Sequence, residues 1–259
     1  MRPITLVLPH FQNLGMWAEQ QRVIAEYPDA IKAHLHVVLV DDCSPKGHRP
    51  GPKSVTVDGL ASLRIYRLLQ KKRWNWIACR NLGAKVARTD WLFLTDIDHV
   101  VPAATWTRLM AGEVSPASAY KFRRVTTTTV WPYDVTAQPA YKPHNDTWCL
   151  TRRLFFSPPV GGYDERLSGC YGTSGEFTDR VRSAASVVFL PDVIVRYPRE
   201  IVADASTPPS VYTRKNDPTN DEDLARRKAA RAQSPGWKPL HGLVKSELVW
   251  SSEPMEAVA

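Results

Sequence analysis

The segment Asp90-Trp91-Leu92-Phe93-Leu94-Thr95-Asp96-Ile97-Asp98-His99 constrains the chain more than any other. Its apolar centre reads as a buried β-strand that runs straight into two carboxylates one residue apart. Strand side chains alternate faces, so Asp96 and Asp98 point the same way if the extended conformation continues. Two like charges that close raise each other's pKa unless a cation lies between them. Hard divalent ions such as Mg²⁺ or Mn²⁺ take carboxylate oxygens and keep positions open for substrate phosphates. The expectation is a metal–diphosphate clamp at the carboxyl end of a strand. A solvated turn capped by both aspartates is the competing reading, since a triplet is a short motif.

The segments before it alternate in character. Ile4 to Leu8 is a short apolar run that stops at Pro9, and Leu35 to Val40 is a second that ends at Asp41-Asp42. Leu63 to Leu68 is a third, and Trp91 to Thr95 the fourth. Helical spacing fills Gly15 to Tyr27 and Ile77 to Ala87. Strands separated by helices of this length predict an α/β fold with a mainly parallel sheet flanked by helices. Ligands of such sheets bind outside the carboxyl ends of the strands. His10 and Asn13, Asp41 and Asp42, and Asp96 and Asp98 all fall at those ends. Residues 1–101 therefore read as a half that binds its ligand at the strand ends, and 102–250 as a loop-rich second half of the same domain. In the second half, strand patterns cover Ala119 to Thr129 and Val187 to Tyr197, and Glu176 to Ala184 is helical. A basic helix spans Asp221 to Gln233, and 251–259 reads as a loose tail.

The absence of any run of eighteen apolar residues excludes a membrane-spanning helix. The four cysteines are scattered with no C-x-x-C pair, which argues against a zinc ribbon and gives no disulfide framework. A reducing, cytoplasmic setting is the simplest reading. The formal net charge of +8 makes nucleotide diphosphates, nucleic acid and anionic lipid headgroups all admissible partners, with contact to a polyanionic surface among the possibilities.

Several segments, in this order, resemble the GT-A nucleotide-sugar glycosyltransferases, family 2 in particular. Leu6-Val7-Leu8-Pro9-His10-Phe11-Gln12-Asn13 is similar to their opening strand and first nucleotide loop, which implies nucleotide contacts from Pro9, His10 and Asn13. Val40-Asp41-Asp42-Cys43-Ser44 resembles the strand end whose second Asp contacts the nucleobase, a role that falls on Asp42. Ala78-Cys79-Arg80-Asn81-Leu82-Gly83 is close to a helix start whose Arg lies near the nucleotide. Thr95-Asp96-Ile97-Asp98 matches the Asp-x-Asp metal motif. Gly161-Gly162-Tyr163-Asp164-Glu165 resembles an acceptor-side element of a galactosyltransferase-like branch. In that branch a Gly-x-Gly-x-Glu-Asp segment follows. Here Glu176 fits the Glu, while Phe177 stands where inverting members carry their general base. Arg214-Lys215-Asn216-Asp217-Pro218 resembles a later stretch, but the His ligand expected just upstream is missing, leaving His241, His144 or water to replace it. The resemblance covers roughly residues 4 to 220, and it implies that 1–101 are the nucleotide-sugar-binding half and 102–250 the acceptor-binding half of one GT-A domain.

What this implies is a metal-dependent glycosyltransferase that uses Mn²⁺ or Mg²⁺ and a nucleotide-sugar donor, a UDP-sugar first. Asp98 and Asp96 would hold the ion, with Asp96 also reaching the ribose, and Arg80 would add fixed positive charge at the diphosphate. The general base lies between Glu176 and Asp179, which one helical turn places on one face. Trp74 and Trp76 with Lys71, Lys72 and Arg73 form a basic-aromatic cluster that can stack a ring or bind a polyanion, or can be an ordinary loop over buried tryptophans. The acceptor is a glycan or a hydroxymethylated base in DNA. The alternative of another class is a non-catalytic nucleotide- or carbohydrate-binding module on the same scaffold.

Overall fold

A computed structural model describes residues 1–132, 143–205, 219–233, 238, 242 and 244–252. The Arg214–Pro218 stretch, His241 and residues 253–259 lie outside the described residues.

The apolar runs become β1 (Ile4–His10), β2 (Leu35–Asp41), β3 (Ser62–Leu68) and β4 (Trp91–Leu94), all parallel in the order β3-β2-β1-β4. Every residue of β1 is buried because both sheet faces are covered. Ile4, Leu6 and Leu8 enter one apolar cluster with Trp17 and Ile24 of α1 (Leu14–Ala25), while Val7 enters the opposite cluster with Ile77 of α2 (Trp76–Val86). Alternation along a strand thus feeds two cores from one run.

Gly83 explains the glycine of the Arg-Asn-x-Gly element. A Cβ there would stand 2.2 Å from Val7 Cγ1, a stiff β-branched side chain with no room to move. Gly83→Ala is expected to cost about 1–3 kcal/mol by overpacking, read as a lower urea midpoint at unchanged m value.

The second half departs from parallel order. β5 (His99–Val100), β6 (Ser118–Thr126), β7 (Trp148–Thr151), β8 (Ser186–Arg196) and β9 (Ser246–Ser251) complete one nine-stranded sheet, ordered β5-β8-β6-β7-β4-β1-β2-β3-β9. β7 joins β4 antiparallel, so both halves of the chain share one sheet. α3 (Ala103–Ala111) and α4 (Arg152–Phe156) precede α5 (Ser174–Ala184) and α6 (Asn220–Ala232), which fall on the two expected helices. The sheet as a whole is mixed rather than mainly parallel. β9 pairs antiparallel with β3, and Ser252 still exchanges hydrogen bonds with Leu63, so the segment expected to be tail from residue 251 is strand at its start.

Candidate active site

The carboxyl ends of β1, β2 and β4 open onto one cleft, and the backbone there is strained. Among the described residues, the non-glycine residues with positive φ are Gln12 (56°), Cys43 (55°) and Trp74 (49°). They follow β1, follow β2 and precede α2. Such conformations persist only where surrounding structure over-determines them, and they cluster at functional sites.

The first two strand ends are pinned by their own polar residues. His10 Nδ1 lies 3.1 Å from Asp41 Oδ1, and the Asn13 amide donates to His10 Nε2 at 3.3 Å, which puts the ring proton on Nδ1. Arg67 Nε donates to Asp41 Oδ2 at 3.1 Å. Burial pushes the Asp41 carboxyl up, but His10, Ser44 and Arg67 outweigh it and hold it below its usual range. Asn13 is likewise engaged, accepting from the Phe11 amide and donating to Asp204 O. Pro9 is a buried strand residue with no polar side-chain atom to offer. The side chains of His10 and Asn13 therefore shape the loop.

Asp42 differs. Its Oδ2 accepts from the Asn75 amide at 2.9 Å, whereas its Oδ1 is buried with no hydrogen-bond partner among the described residues. Burial raises its pKa to about 7, with the Asn75 bond opposing and Asp41 adding to the rise. The native state thus keeps a proton that the unfolded chain loses near 3.8, so stability falls as pH rises from about 4 to about 7. Asp42→Asn is expected to remove that slope and to be the more stable protein at pH 8, by an amount on the order of 4 kcal/mol at most. Urea unfolding of both proteins at pH 5 and pH 8 checks it.

Arg80 is fully buried, not a surface helix arginine. Its Nη2 lies 2.5 Å from Asp96 Oδ1, and Nη1 lies 3.2 Å from the Tyr163 hydroxyl and 3.6 Å from Asp146 Oδ1. The guanidinium stacks over Trp76 at 4.5 Å. Burial works against its charge, but Tyr163, Asp96 and Asp146 more than offset that and raise its pKa. Its neighbour Asn81 clamps the Gly161-Gly162-Tyr163 turn, donating to Tyr163 O at 2.8 Å and accepting from the Tyr163 amide at 2.8 Å. Gly161 and Gly162 adopt φ of 60° and 74°, which non-glycine residues reach only at a cost. The Arg-Asn and Gly-Gly-Tyr elements are thus two halves of one contact.

The acidic pair behaves differently from the expectation. β4 ends at Leu94 and the chain turns at Ile97–Asp98, closed by a His99 amide to Asp96 O bond of 3.1 Å. Strand alternation stops before it reaches the pair. Asp96 faces the cleft with 38% of its side chain exposed. Burial raises its pKa, Arg80 opposes, and Asp98 and Asp146 add to the rise. Asp98 instead lies 2.7 Å from His99 Nδ1 and 3.6 Å from Arg196 Nε. Burial pushes Asp98 up, but His99, Arg196 and Arg124 prevail and lower it.

The donor atoms that converge belong to Asp96, His99 and His144, all within 4.8 Å of one another. The two imidazoles stack at 4.4 Å. His144 Nδ1 pairs with Thr147 Oγ1 at 3.0 Å, and Nε2 lies 3.3 Å from Asp96 Oδ2. Burial, then His99 and nearby cations, hold His144 well below its usual pKa, so it stays neutral. Both ring nitrogens of His99 are buried with no hydrogen-bond partner among the described residues, Nδ1 standing only at ion-pair distance from Asp98. A neutral imidazole, an orphaned ring nitrogen and a half-open carboxylate fit a divalent transition-metal ion. The turn is braced by Gln20, whose amide donates to Ile97 O and His99 O at 2.9 and 2.7 Å. The His144 loop is braced by Lys121, which donates to His144 O and Asn145 O at 2.9 and 2.6 Å.

The two expected bases do not reach this cluster. Glu176 is buried in a two-pronged pair with Arg180, at 2.6 and 2.8 Å. Asp179 is 78% exposed on α5 beside Arg182. Phe177 packs into the core against Tyr163, rings 3.9 Å apart, which fixes the helix face that turns inward. The acid that does sit here is Asp146, which sequence reasoning missed. Its Oδ2 accepts from Ser174 Oγ at 2.7 Å, and its other oxygen faces Arg80. No motif marks it; its proximity to His144 is the only local sign.

A parallel strand set that ends beside a buried acid, an arginine and a carboxylate–histidine cluster fits the GT-A class of sugar-nucleotide enzymes. The family model for glycosyl transferase family 2 matches residues 18–154, more than half of the chain, and the chain belongs to that family of glycosyltransferases. Solved structures share the fold at low identity. S. aureus TarS 1–349 in complex with UDP-GlcNAc is 16% identical with a TM-score of 0.52, over 80% of this chain and 61% of that one. GalNAc-T7 with UDP, GalNAc and Mn²⁺ is 16% identical with a TM-score of 0.59, over 90% and 52%. Mannosyltransferase PcManGT from Pyrobaculum calidifontis, in complex with GDP-Man and Mn²⁺, is 18% identical with a TM-score of 0.54, over 90% and 76%. The chain spans only 37% of a longer TarS chain that it also matches. No curated protein matches the sequence. No helix among the described residues is long and apolar enough to cross a membrane.

Proposed function

We propose that the chain moves a sugar from a nucleotide-diphosphate donor, first of all a UDP-sugar, to an acceptor hydroxyl on a glycan or a hydroxymethylated DNA base, with a divalent ion, Mn²⁺ in preference to Mg²⁺, held by Asp96, His99 and His144. The observation that carries this reading is the convergence of those three donors beside the buried Arg80. The nucleotide sugars and Mn²⁺ bound by proteins of the same fold support it. When bound, the ion supplies Lewis-acid neutralisation of charge on the departing diphosphate. Arg80 adds a pre-oriented cation in a water-poor site, and the stack on Trp76 keeps it in place. The orphaned Asp42 Oδ1 accepts an N–H of the nucleobase. Asp98 Oδ1 lies 2.7 Å from His99 Nδ1 and would orient the imidazole that serves the ion, the usual pairing in carboxylate–histidine–metal sites. Asp146 is the acid placed to take the acceptor proton, in place of Glu176 and Asp179.

The test is a melting-temperature panel of nucleotide-sugars with and without Mn²⁺, followed by product analysis of the best responder. Binding to the native state raises the midpoint by mass action. A shift that needs both ligands, with slow donor hydrolysis, is expected. A shift without any turnover would reassign the chain to a binding module, and no shift would end the proposal.

A further inference from the structure

A second cleft, about 440 Å³ in volume, lies outside the site just described, lined by Lys72, Arg73, Arg166, Ser168, Gly169 and Arg227 together with one carboxylate, Glu165. It is a built feature. Ser168 Oγ donates to Asn75 Oδ1 at 2.5 Å, and Arg227 Nη1 donates to Arg166 O and Ser168 O at 2.6 and 3.1 Å. Asn220, at the start of α6, accepts from the Tyr171 amide at 2.8 Å. Three segments far apart in sequence are thereby held together.

The charge balance in the cleft favours an anion. Arg166 is neutralised by Asp164, whose carboxylate it grips at 2.9 Å. Glu165 is buried and turned to Asn81 and the Gly242 amide at 3.1 and 2.8 Å. Lys72 and Arg227 contribute the remaining charge, and neither has an ion-pair partner among the described residues. One residue beyond Arg73, Trp74 stacks on Tyr171 with centroids 5.4 Å apart and planes at 10°. Tyr171 is 40% exposed, so this ring pair can receive a further ring. Cations beside a stacking platform are how proteins hold single-stranded nucleic acid: phosphates in the groove, bases on the aromatics.

We propose that this cleft seats a phosphodiester of a single-stranded nucleic acid segment and that the Trp74–Tyr171 stack takes one of its bases. This names the acceptor of the transfer above and so rests on that reading. The cleft is tied to the donor side through one chain of contacts: Ser168 to Asn75, and the Asn75 amide to Asp42. Acceptor and nucleobase therefore lean on the same loop.

The test is fluorescence anisotropy of a labelled oligothymidylate with the unmodified protein, Lys72→Glu and Tyr171→Ala, over a salt series starting at about 50 mM. Lys72→Ala replaces the charge reversal if the latter fails to fold. Expected are binding that weakens linearly in a log–log salt plot, a slope shallower by about 0.7 in the Lys72 variant, and an affinity about tenfold lower in Tyr171→Ala. No binding at the lowest salt overturns the proposal. So does equal competition by inorganic polyphosphate with no effect of Tyr171→Ala, which would mean attraction to any polyanion. The nucleotide-sugar melting shift of the unmodified protein, measured in parallel, reports on the transferase reading by itself.

Discussion

Arg80→Met is expected to lower the unfolding free energy by about 3 kcal/mol, near the lower end of what breaking a buried ion pair costs. Methionine keeps much of the arginine's apolar contact with Trp76, so the loss isolates the charge. Without the guanidinium, the Asp146 carboxylate and the Tyr163 hydroxyl lose their partner in a site that water barely reaches. Asp96 is partly exposed, and solvent screening of that side moderates the cost. Urea unfolding of both proteins gives the number. A change under about 0.5 kcal/mol, the range of ordinary surface substitutions, would mean that Arg80 is not the electrostatic keystone of the cleft. Donor binding should weaken in the same variant, since the proposed diphosphate contact goes with the charge.

Asp146→Asn is expected to reduce kcat by about 10²–10⁴, the range for loss of a positioned acid–base group, with little change in the donor melting shift. Asparagine is isosteric and can still accept from Ser174, so the loop should hold. Asp179→Asn should leave kcat unaltered, because its carboxylate stands in solvent on the far side of α5. Glu176→Gln should lower stability more than turnover, since its pairing with Arg180 is a helix-internal brace. Steady-state kinetics on the three variants separate these roles. A large kcat loss in Asp179→Asn with none in Asp146→Asn would reverse the assignment.

Which parts of this site could be read from residues alone follows from range. The strand ends were legible because an apolar run that stops at a carboxylate is a local pattern, and Arg80 does lie against Asp96. The geometry of the acidic pair was not legible. Alternation applies only while the chain stays extended, and β4 stops two residues before Asp96, so Asp98 turns to His99. His144 and Asp146 lie about fifty residues from Asp96 and reach it only because β7 pairs antiparallel with β4. The loss of an acid at Phe177 was visible; that its ring would be core packing for Tyr163 was not. β9 escaped notice because it is an edge strand with half-exposed residues and no apolar alternation. The strained φ values at Gln12, Cys43 and Trp74 leave no mark in composition, since none of the three is glycine.

Electron spin-echo spectroscopy of Mn²⁺ bound to the protein, with UDP present, bears directly on how the cation is held. Ligation by His99 and His144 predicts nitrogen couplings from two imidazoles, one lost in His99→Gln and one in His144→Gln, with Asp98→Asn keeping both while metal affinity falls about 10- to 100-fold. A spectrum without nitrogen coupling, abolished only by Asp98→Asn, would contradict the assignment and return the ion to the two aspartates.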